Sequence, residues 1–405
     1  MPERALLLTY SFPPMTVPEA ILSAKRAGNL PLECHVVTMR PFKSWMGSDD
    51  SLDGYVREKF ASVTRVEPPK WMRTVPLGRL GPLIKAPDQF RFLNKRLVEA
   101  ATEMIGSFDH LITWSQWHSV HLAGRSLKRS HPDLTWSAHL SDPWSNNPYV
   151  RQNSALERLN TSLEAGVFAD ADALFFPAQQ TADYTLDRHP KSRGKAHVIP
   201  HAYDPSLYPK PPCGRTGPLL MRYMGAFYGP RSPSPLIEGL QLLMSEQPGE
   251  TSDVIVESIG PINRRMLDDQ RADGPARDIV SFLPPVGYTE SLGAMVEADI
   301  LLVVDAPGSS SPFLPSKLID YVGARRLIVG ITPPGPAADL IERLGGWHAA
   351  PEQPGAIAEA LAAAMAHTRA HRDEPFGPDD VVSEYRADVI AQQMAEVMRK
   401  VRGSR

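Results

Sequence analysis

Between residues 300 and 331 the chain runs through an apolar stretch, Ile300-Leu301-Leu302-Val303-Val304, and a small polar loop, Gly308-Ser309-Ser310-Ser311. The segment Pro315-Ser316-Lys317-Leu318-Ile319-Asp320-Tyr321 follows, and then a second apolar stretch, Leu327-Ile328-Val329-Gly330-Ile331. Strand, loop, helix, strand is the repeating unit of a doubly wound parallel sheet, buried on both faces. In such sheets the junction of loop and helix binds phosphates, because the first N–H groups of the helix lack partners and carry the positive end of its dipole. Proline suits that position, having no N–H to leave unpaired. Ser316 and Lys317 therefore stand where a diphosphate would be held. Asp320, three residues on and on the same helical face, stands where a ribose hydroxyl could donate.

The same alternation runs along the whole chain. In the first half, Ala5–Phe12, Leu32–Met39, Ser62–Val66, His110–Trp114, Leu134–Leu140, Ala173–Phe176 and His197–Ile199 read as strands. Pro18–Ala27, Gln89–Ile105, His118–Lys128 and Ala155–Phe168 read as helices between them. A second set has strands at Leu219–Phe227, Asp253–Ile259, Ile279–Leu283, Ile300–Val304 and Leu327–Ile331. Its helices are Pro235–Met244, Pro261–Arg271, Glu290–Val296, Ser316–Ala324, Pro336–Leu344 and Ala356–Ala366. Val381–Val401 reads as one long helix packing back toward the first half. The expected organisation is α/β, with two Rossmann-like domains facing each other across a cleft. Residues 1–200 form the first domain, 201–218 a hinge and linker rich in proline and glycine, 219–380 the second domain and 381–405 the returning helix. A chain of 405 residues is long for one core and comfortable for two.

Composition narrows the function. A net charge of −3 offers nucleic acid no global attraction. Cys34 and Cys213 are the only cysteines, too few and too far apart for a disulfide framework or a cysteine-rich metal site. No apolar run approaches the roughly 20 residues that span a bilayer. The expectation is a cytoplasmic protein with no leader peptide and no bound cofactor. Lys70, Arg73, Arg79, Lys85, Arg91, Lys95 and Arg96 form a basic stretch with one acid, Asp88, and with Trp71, Met72, Leu77, Leu80, Leu83, Ile84, Phe90 and Phe92 interleaved. That mixture suits either a solvated face or peripheral contact with the inner face of an anionic membrane.

Several segments resemble a known family in order and spacing. Ser11-Phe12-Pro13-Pro14 is similar to the "YFPP" that opens the acceptor domain of retaining GT-B-fold glycosyltransferases related to family 4 (group 1). Ile199-Pro200-His201-Ala202-Tyr203-Asp204 resembles that family's "IPNGVD" hinge. Tyr223-Met224-Gly225-Ala226-Phe227 resembles the first donor-domain strand with its glycine turn. Val286-Gly287-Tyr288 and Ala298-Asp299 resemble the base-contacting turn and the "aD" before the next strand. Pro315–Tyr321 resembles the "PxKxxEY" donor helix, with Asp320 in place of Glu. The chain departs from the pattern at Pro312, eight residues before Asp320, where the family carries its first acid. Arg231 is the one basic residue soon after Gly225, where the family has an Arg and a Lys. No GxGxxG follows the first strand.

The resemblance implies a glycosyltransferase of hexosyltransferase type (EC 2.4), retaining and metal-independent. It would use a UDP- or GDP-sugar as co-substrate and a hydroxyl of a saccharide, lipid-linked or small-molecule acceptor. The donor-binding set it implies is Gly225, Arg231, Val286, Gly287, Tyr288, Ser310, Ser311, Ser316, Lys317 and Asp320. Near the carboxyl end of strand Leu134–Leu140, His139 and Asp142 are the candidate catalytic residues, since a carboxylate there can orient or deprotonate an acceptor hydroxyl. Plain alternatives stand beside each. Lys317 could be a solvated helix-surface amine or an i,i+3 partner of Asp320. Arg231 could face water, Asp142 could cap a turn before Pro143, and His139 could be a satisfied buried histidine. Asp170-Ala171-Asp172 imitates a metal motif at a helix end and is read as a decoy. Two rivals remain: a nucleotide-sugar epimerase or hydrolase, needing a carboxylate pair such as Glu257 with Asp142, and a non-catalytic nucleotide-binding scaffold.

Overall fold

Strands that are apolar on both faces fold only where helices cover both sides of their sheet. The computed structural model, which describes residues 3–43, 46–74, 81–148, 150, 153–266, 274, 276 and 279–404, meets that requirement twice. The chain divides into two compact units, Met1–Ala202 with Ala387–Arg405, and Tyr203–Arg386.

Unit 1 holds seven parallel strands: β1 (Arg4–Thr9), β2 (Glu33–Met39), β3 (Ser62–Val66), β4 (His110–Trp114), β5 (Thr135–His139), β6 (Ala173–Phe176) and β7 (Ala196–Val198). Their order is β3-β2-β1-β4-β5-β6-β7. Side chains alternate along β1, so Leu6 and Leu8 join one core with Leu111, Trp136 and Phe168. Ala5 and Leu7 join the other, with Phe12, Ile112 and Trp114. That second face is sealed by the helix Ala387–Gly403, whose Ile390, Ala391, Met394, Ala395 and Met398 recur at helical spacing and are buried.

Unit 2 holds six parallel strands: β8 (Leu219–Met224), β9 (Val254–Ile259), β10 (Val280–Leu283), β11 (Ile300–Val304), β12 (Leu327–Ile331) and β13 (Trp347–Ala349). Their order is β10-β9-β8-β11-β12-β13. In both sheets the direction of winding reverses beside the first strand, between β1 and β4 and between β8 and β11. Ligands of such sheets bind outside the carboxyl ends of the strands at that switch.

Some elements depart from expectation for local reasons. The strand expected to reach Phe227 ends at Met224, because Gly225 turns the chain at φ 138. The single helix expected over Val381–Val401 is two, Asp379–Ser383 and Ala387–Gly403. Between them the Tyr385 carbonyl accepts from the Tyr203 N–H, which spends backbone that a continuous helix would need. The expected helix Gln89–Ile105 is a 3-10 turn, Gln89–Leu93, followed by the α-helix Asn94–Thr102. Asp88 caps the first of these through the Phe90 N–H. Of the helix expected at Pro261–Arg271, residues 267–271 lie outside the described residues. So do Leu77, Arg79 and Leu80 of the basic stretch, whose Met72 and Phe90 are buried in the unit 1 core and present no surface.

Candidate donor and acceptor sites

In unit 2 the switch point lies between Gly225, after β8, and Asp305, after β11. The helix Ser316–Ala324 is pinned to both strands by one residue. The Tyr321 hydroxyl accepts from the Met224 N–H (2.8 Å) and donates to the Leu302 carbonyl (3.1 Å). This aims the helix start at the switch. Pro315 precedes the first turn without a side-chain cap, which leaves N–H groups for an anion.

Lys317 folds across that opening. Its Nζ is buried, makes no hydrogen bond among the described residues, and sits 3.8 Å from the centre of the Tyr223 ring. A Cβ on Gly225 would lie 3.0 Å from the same Nζ, so glycine is what lets the ammonium approach the strand end. Lys317 does not pair with Asp320. Burial, then the nearby Arg231, lowers its pKa well below the ordinary lysine value, while Asp305 works against them. An ammonium left without an anion inside a protein is costly unless a ligand completes it.

Arg231 does not face water. Its Nη2 donates to Asp305 Oδ1 at 2.7 Å, and its guanidinium lies 5.2 Å from the Tyr228 ring centre. Burial would lower the Arg231 pKa, but the Asp305 carboxylate more than offsets it and the net shift is upward. Asp305, which sequence reasoning missed, is buried and also accepts from the Ala306 N–H (2.8 Å) and Ser311 Oγ (3.3 Å). Its signal was available as an acid directly following the apolar run of β11. Ser311 is buried, its N–H bonded to the Pro334 carbonyl, whereas Ser310 is exposed.

Asp320 is buried, and its Oδ1 accepts from the Tyr288 hydroxyl at 3.1 Å. Tyr288 begins the helix Tyr288–Glu297, with Gly287 as its extended cap and Val286 exposed before it. Tyr288 and Asp320 thus join the turn to the donor helix. Gly225, Arg231, Ser311, Ser316 and Lys317 converge at the end of β8 and β11.

In unit 1 the equivalent edge gathers residues from three elements. His139 is fully buried, stacked on Trp114 with ring centres 3.9 Å apart, and its Nε2 lies 2.6 Å from Arg26 Nη2. Arg26 also donates to the carbonyls of Ile199 (2.6 Å) and Pro200 (2.9 Å). Burial and then Arg26 push the His139 pKa well down, so it is a neutral acceptor for the guanidinium. Asp142 is part-exposed, and its Oδ2 accepts from Gln116 Nε2 at 2.8 Å. Beside it stands Glu19, also missed from sequence, in the first turn of the helix Pro18–Ala27. Its Oε2 accepts from Trp114 Nε1 (2.9 Å) and Ser141 Oγ (2.7 Å). Burial, then the Asp142 charge, raises the Glu19 pKa to about 8. A carboxyl with so raised a pKa, beside a second carboxyl, has the form of an acid–base pair.

The decoy acids are engaged elsewhere. Asp170 pairs with Arg125 (2.7 Å) and Arg129 (2.8 Å), and Asp172 with Lys128 (3.0 Å). Among the described residues no group of three His, Cys, Asp or Glu could hold a metal. Glu257 is held by Arg222 at 2.7 Å.

Residues 55–207 match the family described as Glycosyltransferase Family 4. No curated protein matches the chain. Among solved structures, HepE from Anabaena in complex with UDP-glucose is similar at 14% identity and a TM-score of 0.68, over 98% of this chain and 99% of that one. The chain has the GT-B fold of these glycosyltransferases. Sucrose-phosphate synthase from Thermosynechococcus elongatus is similar to this chain at 16% identity and a TM-score of 0.64, with both chains fully covered. The lipopolysaccharide outer core galactosyltransferase WaaB, in its apo form, is similar at 12% identity and a TM-score of 0.60, over 98% of this chain and 99% of that one.

Proposed function

We propose that this glycosyltransferase moves a sugar from a nucleotide-sugar donor, held in unit 2, to a hydroxyl of a saccharide or lipid-linked acceptor, with retention at the anomeric carbon. The observation that carries the donor assignment is Lys317 Nζ, buried without a hydrogen-bond partner among the described residues at an uncapped helix start. As the bond from the anomeric carbon to phosphate breaks, negative charge grows on the leaving diphosphate. Lys317, Arg231 and the first N–H groups of the helix meet that charge in place, which lowers the barrier without solvent reorganisation. These groups supply the positive charge that a divalent ion supplies in other sites. The acceptor oxygen bonds the anomeric carbon on the face the phosphate leaves, and its proton passes to the leaving phosphate oxygen. Asp142 orients the acceptor hydroxyl. Tyr288 and Asp320 hold the ribose and base, and complexes of HepE with UDP and UDP-glucose support a uridine nucleotide as the first to try.

Peripheral membrane contact suits a lipid-linked acceptor. Trp71, Leu83 and Ile84 are exposed, at 40%, 48% and 59% of their surface, among Lys70, Arg73, Lys85 and Lys95. Flotation with anionic vesicles, lost in Leu83→Ser/Ile84→Ser, tests that contact. No helix among the described residues is long and apolar enough to cross a membrane.

The activity test follows donor turnover by anomeric proton NMR, offering UDP- and GDP-sugars with simple glycoside acceptors. A new glycoside of unchanged anomeric configuration is expected. Free sugar or an epimer without an acceptor would replace this reading with hydrolysis or epimerisation.

A further inference from the structure

The opposite edge of the unit 2 sheet carries a second cluster of cations. A cavity of about 340 Å³ opens at the amino ends of β11 and β12. Arg215, Asp299, Arg326, Thr368 and Arg372 line it. Asp299, almost wholly buried, serves two guanidiniums at once. Arg372 grips it with Nε on Oδ1 (3.0 Å) and Nη2 on Oδ2 (2.8 Å), and Arg215 Nη1 reaches Oδ1 at 2.7 Å. The other lining acid, Glu374, lies 3.2 Å from His371 Nδ1. Asp373, half exposed, is 3.6 Å from Arg215 Nε.

Arg326 gets none of these carboxylates. It is 4% exposed, its Nε donates to the Val296 carbonyl at 2.8 Å, and its Nη2 is buried with no partner among the described residues. Thr368, also 4% exposed, keeps a buried hydroxyl without a partner among the described residues, and Arg215 Nε makes no hydrogen bond among them. Burial, then the neighbouring Arg215, pushes the Arg326 pKa down to about 10. Buried polar groups almost always find partners, and unpaired ones mark a missing ligand or water. Arg215 is held by Asp299 and Asp373, which leaves two such groups on residues lining one cavity, the Arg326 guanidinium and the Thr368 hydroxyl, and together they match a ligand rich in acceptors and negative charge. A planar fork of donors suits the oxygens of a phosphate.

We propose that this cavity binds a phosphate-type oxyanion at a site separate from the donor site. The separation follows from the topology. Arg326 comes immediately after Arg325, whose left-handed φ of 56 ends the helix Ser316–Ala324. Lys317 sits in the first turn of that helix. Nine residues at ~1.5 Å each put the two sites about 13 Å apart along its axis.

The test uses the full chain and inorganic phosphate as the probe. Melting temperature and calorimetric heat are followed against phosphate, with ionic strength held constant by sodium chloride. A saturable rise in melting temperature is expected, retained in Lys317→Met and weakened at least tenfold in Arg326→Gln. Thr368→Val removes one unpaired hydroxyl at constant shape, so it should fold and weaken phosphate even if Arg326→Gln does not fold. A rise abolished by Lys317→Met would move the phosphate to the donor site and overturn the proposal. So would the absence of a saturable rise, or a response unchanged in Thr368→Val and Arg326→Gln.

Discussion

Replacing Lys317 by methionine separates the two things this residue does. The ammonium lies against the Tyr223 ring, beside Gly225, with no hydrogen-bond partner among the described residues. Methionine fills nearly the same volume and removes the charge. In the nucleotide-free protein the substitution should cost nothing at neutral pH and should raise stability, because burying the ammonium was unfavourable. The pH dependence has a definite sign. The folded-state pKa of Lys317 lies below its unfolded value, so the unfolded chain binds the extra proton, and wild-type stability rises with pH through the window below 10.5. Lys317→Met should lack that rise. With nucleoside diphosphate the order reverses. A charge-assisted hydrogen bond is worth about 1.5–3 kcal/mol, or about 10- to 150-fold in Kd. At 100 times its Kd a ligand stabilises wild type by about 2.7 kcal/mol. In a unit of this size that is about 5–10 °C in Tm. The same nucleotide concentration should stabilise Lys317→Met by about 0.3–1.4 kcal/mol, so its Tm should move by about 1–5 °C, half of the wild-type shift or less. The assay is thermal unfolding with UDP, GDP and ADP, from pH 6 to 9. Equal nucleotide shifts in both proteins would refute the donor assignment. A Lys317→Met protein less stable than wild type without ligand would refute the account of the buried ammonium.

Other substitutions probe the neighbouring geometry. Arg231→Gln leaves the buried Asp305 carboxylate without its cation and should cost about 3–5 kcal/mol; adding Asp305→Asn should restore much of this stability without restoring nucleotide affinity, as a double-mutant cycle will read. Gly260→Ala forces a Cβ to 2.3 Å from the Gly225 carbonyl oxygen at φ 147, so strain of about 1–3 kcal/mol and a weakened nucleotide response are expected in the same melting assay. Glu19, with its pKa raised from 4.5 to about 8, keeps a proton in the folded state that the unfolded chain releases, so wild-type stability falls as pH rises through that interval. Glu19→Gln should remove the fall and be the more stable protein at pH 8, by no more than about 5 kcal/mol; parallel curves of Tm against pH would show that Glu19 titrates normally. Asp142→Asn should lower kcat for sugar transfer at least tenfold while nucleotide binding is unchanged, measured by turnover and calorimetry side by side.

The strands Ile300–Val304 and Leu327–Ile331 and the helix Ser316–Ala324 have the same bounds in the sequence pattern and in the structure. Unbroken apolar runs between polar loops, with a proline ahead of the helix, leave the backbone little choice there, and local patterning determined the doubly wound class. Where a partner distant in sequence decides, the pattern misleads. The helix over Val381–Val401 breaks because Tyr385 bonds to Tyr203, and β13 is only three residues long, too short to show a period. The chemistry depends on distance even more. From sequence, Lys317 was a candidate cation or a solvated amine, and nothing in its neighbours along the chain decided between them. Folding placed it over Tyr223 and beside Arg231, from a different strand and loop. Asp305 and Glu19 drew no notice in a linear reading because each is one acid at an element end. Their roles come from Arg231 and Ser311 in one case and Trp114, Ser141 and Asp142 in the other. The sequence by itself determined which backbone segments become strands and which become helices, since that depends on apolar period. Only the tertiary structure decided which charges are buried together, because desolvation and Coulomb energy depend on separations in space that no local pattern records.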